Sequence, residues 1–240
     1  MAFNHGKNLI VSDSLYAVLD ASDSNSYDGS GTDWNDLAKD HNATKEGSPT
    51  YVDDNTVDYF SFDAGSEYFD FNDTLEDLTE SAGKSCCMWI MNGGNSSEGR
   101  IFNSGYSGHG YSGATGFAIG VTGSGTANQP FSFYRKSDGA ASKQNFGDVM
   151  NTTDWYHLAI TVGSSGKNYQ NGVLKSTISG TGNPATSIIN NTSAKIASYW
   201  GRVNDFPFVG KLACMQLYTK ELTEDEILQN FNAQRGRFGV

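Results

Sequence analysis

Large apolar side chains alternate with a mixed set over residues 155–162, the clearest periodic pattern in the chain. A period of two predicts a β-strand, because successive side chains on a strand point to opposite faces of the sheet. One face is expected to lie in a core, and the mixed face is typical of a sheet with a shallow concave side. The apolar face consists of Tyr156, Leu158, Ile160 and Val162, and the mixed face consists of Trp155, His157, Ala159 and Thr161.

Similar short segments recur along the chain with polar loops between them, which predicts a β-sandwich. Asn171-Gly172 separates two of these segments and predicts a tight hairpin, because both central residues of a type I′ turn need positive φ. No linker or internal repeat divides the sequence, so we expect an N-terminal arm over residues 1–13 and a single domain over residues 14–240. The other predicted strands cover residues 15–20, 57–62, 67–71, 85–91, 117–121, 131–135, 167–178, 194–199 and 208–218.

A single helix is predicted, close to the C-terminus. Thr223 is suited to cap its start, and Glu226 three positions later completes a capping box. Leu222, before the cap, and Ile227 form the matching hydrophobic staple. The remaining signals are an apolar face of Ile227, Leu228 and Phe231, a basic Arg235 in the last turn, and Gly236 as a left-handed terminator.

Charge and composition exclude several classes of function. The chain has 240 residues and a formal net charge of -11, so it lacks the basic footprint of a nucleic-acid-binding protein. Hydrophobic residues make up 37% and charged residues 18%, which is typical of a globular and not of a disordered protein. No apolar run reaches the length of a membrane span, and we expect no signal peptide and no membrane insertion.

The three cysteines indicate a reducing compartment, because an odd and sparse count does not suit a disulfide framework. Cys86 and Cys87 are adjacent on a predicted strand, so their side chains should point to opposite faces of the sheet. A bridge between them is sterically poor.

The order of several segments along the chain is informative about the fold. They are LYAVLDA at residues 15–21, NSY at 25–27, GSGTDWNDL at 29–37, FSFD at 60–63, DWYHLA at 154–159, YQNG at 169–172, FVGKL at 208–212 and LYTKELTEDEI at 217–227. Together they resemble the concanavalin A-like jelly roll, in the branch of laminin-G-like and pentraxin-like domains. The resemblance implies an all-β fold, a sandwich of two antiparallel sheets with one short C-terminal helix.

The opening segments resemble, more narrowly, a version of this domain found in virion structural and appendage proteins of tailed bacteriophages, notably marine and cyanobacterial phages. This resemblance implies a protein made in the cytoplasm of the host bacterium and incorporated into the virion. Its implied partners are other virion proteins and copies of itself.

Catalytic and metal-binding patterns are weak in this sequence. Glucanases of this fold carry a Glu-x-Asp-x-x-Glu strand motif, which the chain lacks, and its acidic stretches at residues 70–73 and 76–80 are interpreted as loop or solvated surface. The four histidines are scattered, and His157 is interpreted as a hydrogen-bonded structural residue. Structural calcium is compatible with the fold but is not predicted, because Asp in a turn more often binds local backbone amides. The residues considered as calcium ligands are Asp20, Asp23, Asp28 and Asp63.

A glycine-rich segment at residues 104–116 supplies the candidate binding residues Tyr106, His109 and Tyr111. Rings on such a backbone suit stacking on a sugar or contact with another subunit, and an ordinary mobile loop is the third alternative. Trp200 is a fourth candidate as a surface platform, whereas Trp34 occupies a position that the resemblance places in the core.

The sequence therefore predicts a protein that is not an enzyme: a virion structural protein of a tailed phage, either a capsid decoration or a tail or fibre appendage subunit. Contact with a host-surface polysaccharide is compatible with that role. A lectin-like carbohydrate-binding module is the alternative hypothesis, and a glycoside hydrolase with an unrecognised acid pair is the third.

Overall fold

Two β-sheets packed face to face account for most of the computed structural model, which describes residues 9–63, 66–80, 82–104, 116–123, 128–135, 141–163, 165–178, 193–198 and 206–240. All strand pairs within the two sheets are antiparallel, so the all-β jelly-roll prediction is confirmed. The strands are β1 (Leu15–Asp20), β2 (Asp33–Trp34), β3 (Ala43–Glu46), β4 (Thr50–Val52), β5 (Tyr59–Phe62), β6 (Tyr68–Asp70), β7 (Lys84–Asn92), β8 (Gly99–Asn103), β9 (Gly116–Val121), β10 (Pro130–Arg135), β11 (Ala141–Asn145), β12 (Tyr156–Val162), β13 (Gly166–Gln170), β14 (Val173–Ile178), β15 (Lys195–Ile196) and β16 (Gly210–Tyr218). The helices are α1 (Glu76–Glu80) and α2 (Glu224–Phe238).

The first sheet has the strand order β14-β13-β12-β7-β16-β5-β4, with β1 also paired to β16. β16 pairs along one edge with β7, and along its other edge with β5 at residues 210–212 and with β1 at residues 214–218. The N-terminal strand is therefore held in the sheet by the last strand of the chain.

The second sheet has the strand order β11-β10-β9-β8-β15-β6-β3-β2. Its two halves meet at the short strand β15, which pairs with β8 on one side and with β6 on the other. Residues far apart in sequence thereby become neighbours on one sheet.

The core lies between the sheets and is rich in aromatic side chains. Phe60 from the first sheet contacts Trp34 and Phe69 from the second, with ring centroids 4.8 Å and 4.7 Å away. All three side chains are fully buried, and burial of each contributes about 1.5–3 kcal/mol to folding. The prediction that Trp34 is a core residue is confirmed.

The pattern of residues 155–162 is confirmed on one face and wrong on the other. Leu158, Ile160 and Val162 of β12 lie in the core between the sheets. The mixed face is not a shallow concave surface, because His157 and Ala159 are fully buried beneath α2. The pattern of the strand alone does not show that α2, far along the chain, packs on its mixed face.

Two local predictions on strands are confirmed. Cys86 faces the core between the sheets, whereas Cys87 belongs to the cluster on the opposite face, and both thiols are free. Asn171 and Gly172 have φ values of 52° and 75°, so the hairpin between β13 and β14 has the positive φ pair of a type I′ turn.

The start of α2 is as predicted. Thr223 caps it, and its side chain accepts the Glu226 amide while the Glu226 carboxylate accepts the Thr223 amide, which completes the capping box. Leu222 and Ile227 are buried in the same cluster, as the hydrophobic staple requires.

The predicted end of α2 at Gly236 is wrong. The helix continues to Phe238, and Gly239, with φ of 72°, is the left-handed cap. The extra residues bring Phe238 onto Trp89, with ring centroids 4.0 Å apart, and place Arg237 beside Asp20. These tertiary contacts outweigh the low helix propensity of Gly236.

The interpretation of residues 76–80 as a loop is also wrong, because this segment forms α1, but Glu76 and Asp77 are exposed, as solvated surface requires. Leu78 in this helix is fully buried in the main core, so apolar contact holds the short helix in place. Similarly, Asp70 lies on β6 and not in a loop. Neither described helix has the length and apolar character that crossing a membrane requires.

The described part of the arm, residues 9–13, packs on the domain beside α2. The Val11 side chain is buried, and its amide donates to Asn230 Oδ1 at 2.8 Å while its carbonyl accepts from the Tyr218 hydroxyl at 3.1 Å. The boundary at residue 13 stays a prediction.

Candidate ligand-binding face

The two sheets differ in what covers their outer faces, the faces that point away from the other sheet. α2 lies across the first sheet and buries the outward side chains of Trp89, His157 and Cys214. Of the two described helices, α2 packs on the first sheet and α1 is anchored through Leu78 in the core between the sheets. Among the described surfaces, the outer face of the second sheet is therefore the natural place to look for a binding site.

A row of polar side chains crosses one half of this face. Strand pairing places Asp33 opposite Thr44, Thr44 opposite Asp70, and Asp70 opposite Lys195. All four point outward, because their neighbours Trp34, Ala43, Phe69 and Ile196 point into the core. With neighbouring strands about 4.8 Å apart, the row is roughly 14 Å long. We call Asp33, Thr44, Asp70, Asn72 and Lys195 the polar strip.

Hydrogen bonds hold the side chains of the polar strip in place. Thr44 Oγ1 donates to Asp33 Oδ1 at 3.2 Å and accepts from Asn72 Nδ2 at 3.0 Å. Asn72 has φ of 52°, a left-handed conformation that asparagine tolerates, and its amide donates to Asp70 Oδ1 at 2.9 Å. The strip is therefore ordered before any ligand arrives.

Lys195 and Asp70 form an ion pair within the polar strip, and both side chains are largely withdrawn from solvent. Burial alone raises the pKa of Asp70, but the hydrogen bonds from Lys195 and the Asn72 amide outweigh it, so the net pKa lies below the usual value. The Lys195 ammonium also lies 5.2 Å from the centroid of the Tyr68 ring. Asp70 is thus held as a carboxylate that accepts hydrogen bonds.

A second group of residues, the cation–aromatic cluster, lies on the other half of the same face. Its members are Phe131, Arg100, Lys143 and Glu98. The Arg100 guanidinium is 4.7 Å and the Lys143 ammonium 4.1 Å from the centroid of the buried Phe131 ring. Glu98 pairs with both cations, and its contact with Arg100 is 2.6 Å. The cluster therefore contains two cations that share one carboxylate.

Phe131 is seated over a glycine on the neighbouring strand. β10 pairs with β9 so that Phe131 lies opposite Gly120. A Cβ atom at residue 120 would lie 2.5 Å from Phe131 Cζ and 2.3 Å from the Gly99 carbonyl oxygen. Only glycine therefore allows this approach of ring and backbone.

The sequence-predicted binding residues Tyr106, His109, Tyr111 and Trp200 lie outside the described residues, so they stay predictions. The residues of the polar strip were missed as a site. Four of them lie on the separate strands β2, β3, β6 and β15, and Asn72 follows β6, so only the strand register reveals their row. The sequence does show that a polar residue follows or precedes a core residue on each of these strands. Those polar residues can be placed side by side only once the partner strands are known.

His157 is structural in its position, as predicted, but it is not hydrogen-bonded through its ring. Its backbone amide donates to Asn171 Oδ1 at 2.9 Å. Neither ring nitrogen has a hydrogen-bond partner among the described residues, and the side chain is fully buried. Burial lowers the pKa of His157 to about 3, so the imidazole is neutral.

Two of the four aspartates considered as calcium ligands bind local groups in turns. Asp23 and Asp28 accept from the amides of Asn25 and Ser30 at 2.9 Å and 3.0 Å, which confirms their turn interpretation. Asp20 is paired with Arg237. Within the described part of the chain, no group of three or more His, Cys, Asp or Glu side chains is placed to hold a metal ion.

Comparison of the sequence with protein families gives a match to the model described as the concanavalin A-like lectin/glucanases superfamily, over residues 63–228. No curated protein matches the sequence.

Several solved structures share the fold. A Trypanosoma rangeli sialidase in complex with the inhibitor DANA is 14% identical, with a TM-score of 0.66 over 93% of this chain and 33% of the sialidase, so this chain spans about a third of that protein. Domain 4 of AbnA, an extracellular GH43 arabinanase from Geobacillus stearothermophilus in complex with arabinotriose, is 18% identical, with a TM-score of 0.67 over 90% of this chain and 97% of that domain. The receptor-binding domain of botulinum neurotoxin C/D mosaic serotype is 14% identical, with a TM-score of 0.65 over 93% of this chain and 52% of that domain.

Proposed function

This chain belongs to the concanavalin A-like lectin/glucanases superfamily, and we propose that it is a non-enzymatic domain that binds a neutral polysaccharide through the polar strip. The observation that carries this proposal is the hydrogen-bonded row from Asp33 to Lys195 on a sheet face that no described helix covers.

The strip has the hydrogen-bonding groups that sugar hydroxyls need. Asp33 and Asp70 offer carboxylate acceptors, Asn72 and Thr44 offer groups that both donate and accept, and Lys195 offers donors. Asp33 and Asn72 are exposed, while Thr44, Asp70 and Lys195 are half-buried, so a ligand can reach the strip and be partly desolvated on it. The fixed geometry lowers the entropy cost of binding.

Charge favours a neutral ligand over an acidic one. The single cation of the strip, Lys195, is already paired with Asp70, and Asp33 adds a negative charge that no described cation pairs with. The whole chain has a net charge of -11, which repels polyanions such as uronic-acid polymers.

A binding role fits this strip better than hydrolysis. A retaining or inverting glycosidase needs one carboxyl group with a raised pKa to act as a general acid. The pKa of Asp70 is shifted in the opposite direction by Lys195 and the Asn72 amide. The sequence also lacks the Glu-x-Asp-x-x-Glu motif of the glucanases.

The structural relatives support a carbohydrate ligand. Domain 4 of the arabinanase matches this chain over almost its whole length and was solved with a trisaccharide.

Binding of neutral polysaccharides to matched variants tests the proposal. Isothermal titration calorimetry with a panel of soluble glucans, arabinans and mannans should find at least one ligand. Lys195→Met should weaken its binding by about tenfold or more, because a hydrogen bond to a charged group contributes about 1.5–3 kcal/mol. Lys175→Met is the control, since Lys175 also pairs with an aspartate, Asp148, but lies on the edge strand β14 of the first sheet. Equal affinities of the two variants would contradict the assignment, as would release of new reducing ends from the bound polysaccharide.

We further propose that the domain acts as a subunit of a tailed-phage particle, as a capsid decoration or a tail or fibre appendage that contacts host-surface glycans. This setting is supported by the resemblance of the opening segments LYAVLDA and GSGTDW to virion proteins. Mass spectrometry of purified virions should detect the chain at a fixed ratio to the major capsid protein. Its absence from intact particles would contradict this setting and leave the glycan-binding proposal standing.

A further inference from the structure

α2 closes over a lateral row of side chains on the outer face of the first sheet. The register places His157 opposite Trp89 and Trp89 opposite Cys214. From the helix, Phe231 and Phe238 stack on the Trp89 ring, with centroid distances of 5.7 Å and 4.0 Å and interplanar angles of 18° and 5°. The row is therefore sealed by the C-terminal half of α2.

His157 lies at one end of this sealed row without a polar partner. Its ring centroid is 5.3 Å from that of Trp89 and 5.8 Å from that of Phe231, and the side chain has no solvent exposure. Neither Nδ1 nor Nε2 is hydrogen-bonded to a described residue. By contrast, Trp89 Nε1 donates to Gln234 Oε1 on the helix at 3.0 Å.

The charged groups around the row offer His157 no compensation. On α2, the Arg235 guanidinium lies 5.8 Å from the Phe231 centroid, and Arg237 pairs through one nitrogen with both oxygens of Asp20 on β1. On β16, the Lys211 ammonium lies over the Tyr59 ring at 4.5 Å. Trp89 on β7 and Trp155, directly before β12, pack in the same cluster and are neutral. The charged groups named here are three cations and one carboxylate that is already paired, and none of them is hydrogen-bonded to the His157 ring.

We propose that α2 leaves the outer face of the first sheet at low pH and that protonation of His157 causes this release. An imidazolium at His157 would be fully buried, with no described acceptor hydrogen-bonded to either ring nitrogen, so protonation requires the C-terminal half of α2 to leave the sheet. Release hydrates His157 and exposes Trp89 together with the apolar side of the helix. The device does not depend on the polar strip, which lies on the other sheet.

The direction of the pH effect follows from linkage. Burial lowers the pKa of His157 from 6.5 to about 3 in the closed form. The closed form is therefore fully favoured above pH 6.5, and its advantage is lost as the pH falls toward 3. Between these values each fall of one pH unit raises the opening constant about tenfold. The opening constant should therefore rise about 100-fold when the pH is lowered from roughly 7.5 to 4.5.

Hydrogen exchange measured by mass spectrometry tests the release. After correction for the intrinsic pH dependence of exchange, amides of α2 should exchange about 100-fold faster at pH 4.5 than at pH 7.5, while amides of β7 and β16 stay protected. His157→Phe keeps an aromatic ring and cannot be protonated, so its α2 should stay closed over this range. His41→Phe is the matched control, because the His41 ring stacks on Tyr16, with ring centroids 4.0 Å apart, and not on α2. This variant should behave like the wild type.

Two results would overturn the proposal. One is an unchanged acid response of α2 in His157→Phe, and the other is simultaneous opening of β7 and β16, which would mean global unfolding. A second readout uses the wild-type chain alone, so it does not depend on the folding of a variant. The imidazole NMR signals of His157 should stay those of the neutral ring until the α2 amides exchange; an imidazolium signal while α2 is still protected would also overturn it.

Discussion

At the scale of single residues, the close contact of the Phe131 ring with Gly120 predicts how a substitution at residue 120 changes stability. Gly120→Ala would bring a Cβ within 2.5 Å of the Phe131 ring and 2.3 Å of the Gly99 carbonyl oxygen, so the ring and the strand must shift. Overpacking of this kind costs about 1–3 kcal/mol. Urea denaturation should show the free energy of unfolding lowered by that amount. Unchanged stability would mean that the ring does not lie over residue 120.

Gly236→Ala should change stability in the opposite direction. Gly236 lies inside α2, and a Cβ added there would lie within 4 Å of no atom beyond its chain neighbours and the helix backbone. Alanine is the better helix former by about 0.5–1 kcal/mol, so the same denaturation experiment should show that gain. A loss of stability would mean that the helix ends at residue 236, as the sequence alone suggested.

The residue scale also shows how far the sequence could predict the site. Alternation correctly placed the apolar half of β12 in the core, and the family resemblance correctly placed Trp34 there. It could not place Asp70 beside Lys195, because that contact depends on the pairing of β6 with β15, which are more than a hundred residues apart. For the same reason the contact of Phe131 with Gly120 is invisible until β9 and β10 are paired.

At the scale of elements, the attachment of α2 depends on an ion pair as well as on apolar packing. Arg237 Nη1 donates to both oxygens of Asp20 at 3.0 Å and 2.9 Å, and both side chains are largely buried. Arg237→Met should lower the free energy of unfolding by about 3 kcal/mol, because it removes the buried guanidinium that pairs with the Asp20 carboxylate.

The double variant Asp20→Asn with Arg237→Met separates the charge from the packing. Removal of both charges should recover part of the loss, since no unpaired charge stays buried. Thermal unfolding of the single and double variants measures the difference. A single variant as stable as the wild type would mean that the pair does not hold the helix.

Elements with strong local signals were predictable, and those held by tertiary contacts were not. The capping box fixed the start of α2, whereas its end is set by Phe238 on Trp89 and by Arg237 on Asp20. The strands β3, β8 and β11 were missed because their sequences lack a clear apolar alternation. α1 was missed because an acidic pentapeptide has little helical signal without the core contact of Leu78.

At the scale of the whole molecule, net charge predicts how binding responds to salt. With a net charge of -11 and a neutral ligand, the dissociation constant should change less than about twofold between roughly 50 and 500 mM NaCl, because there is no charge on the ligand to screen. Calorimetric titrations across this range check the prediction. A much larger change would identify a charged ligand and contradict the neutral-polysaccharide assignment.

The two sheet faces divide the roles that we assign to the molecule. The first sheet is sealed by α2 and carries the acid-sensitive His157, whereas the second carries the ordered polar strip. The overall sandwich was predictable from strand spacing and family resemblance, but this asymmetry was not, because it depends on where the C-terminal helix packs.

NMR mapping of a bound neutral oligosaccharide tests the central claim most directly. Amide shifts should change at residues 33, 44, 70, 72 and 195 and stay unchanged along α2. Shifts confined to the segment that contains Tyr106 and Tyr111, or centred on the first sheet, would contradict the assignment of the polar strip as the carbohydrate-binding surface.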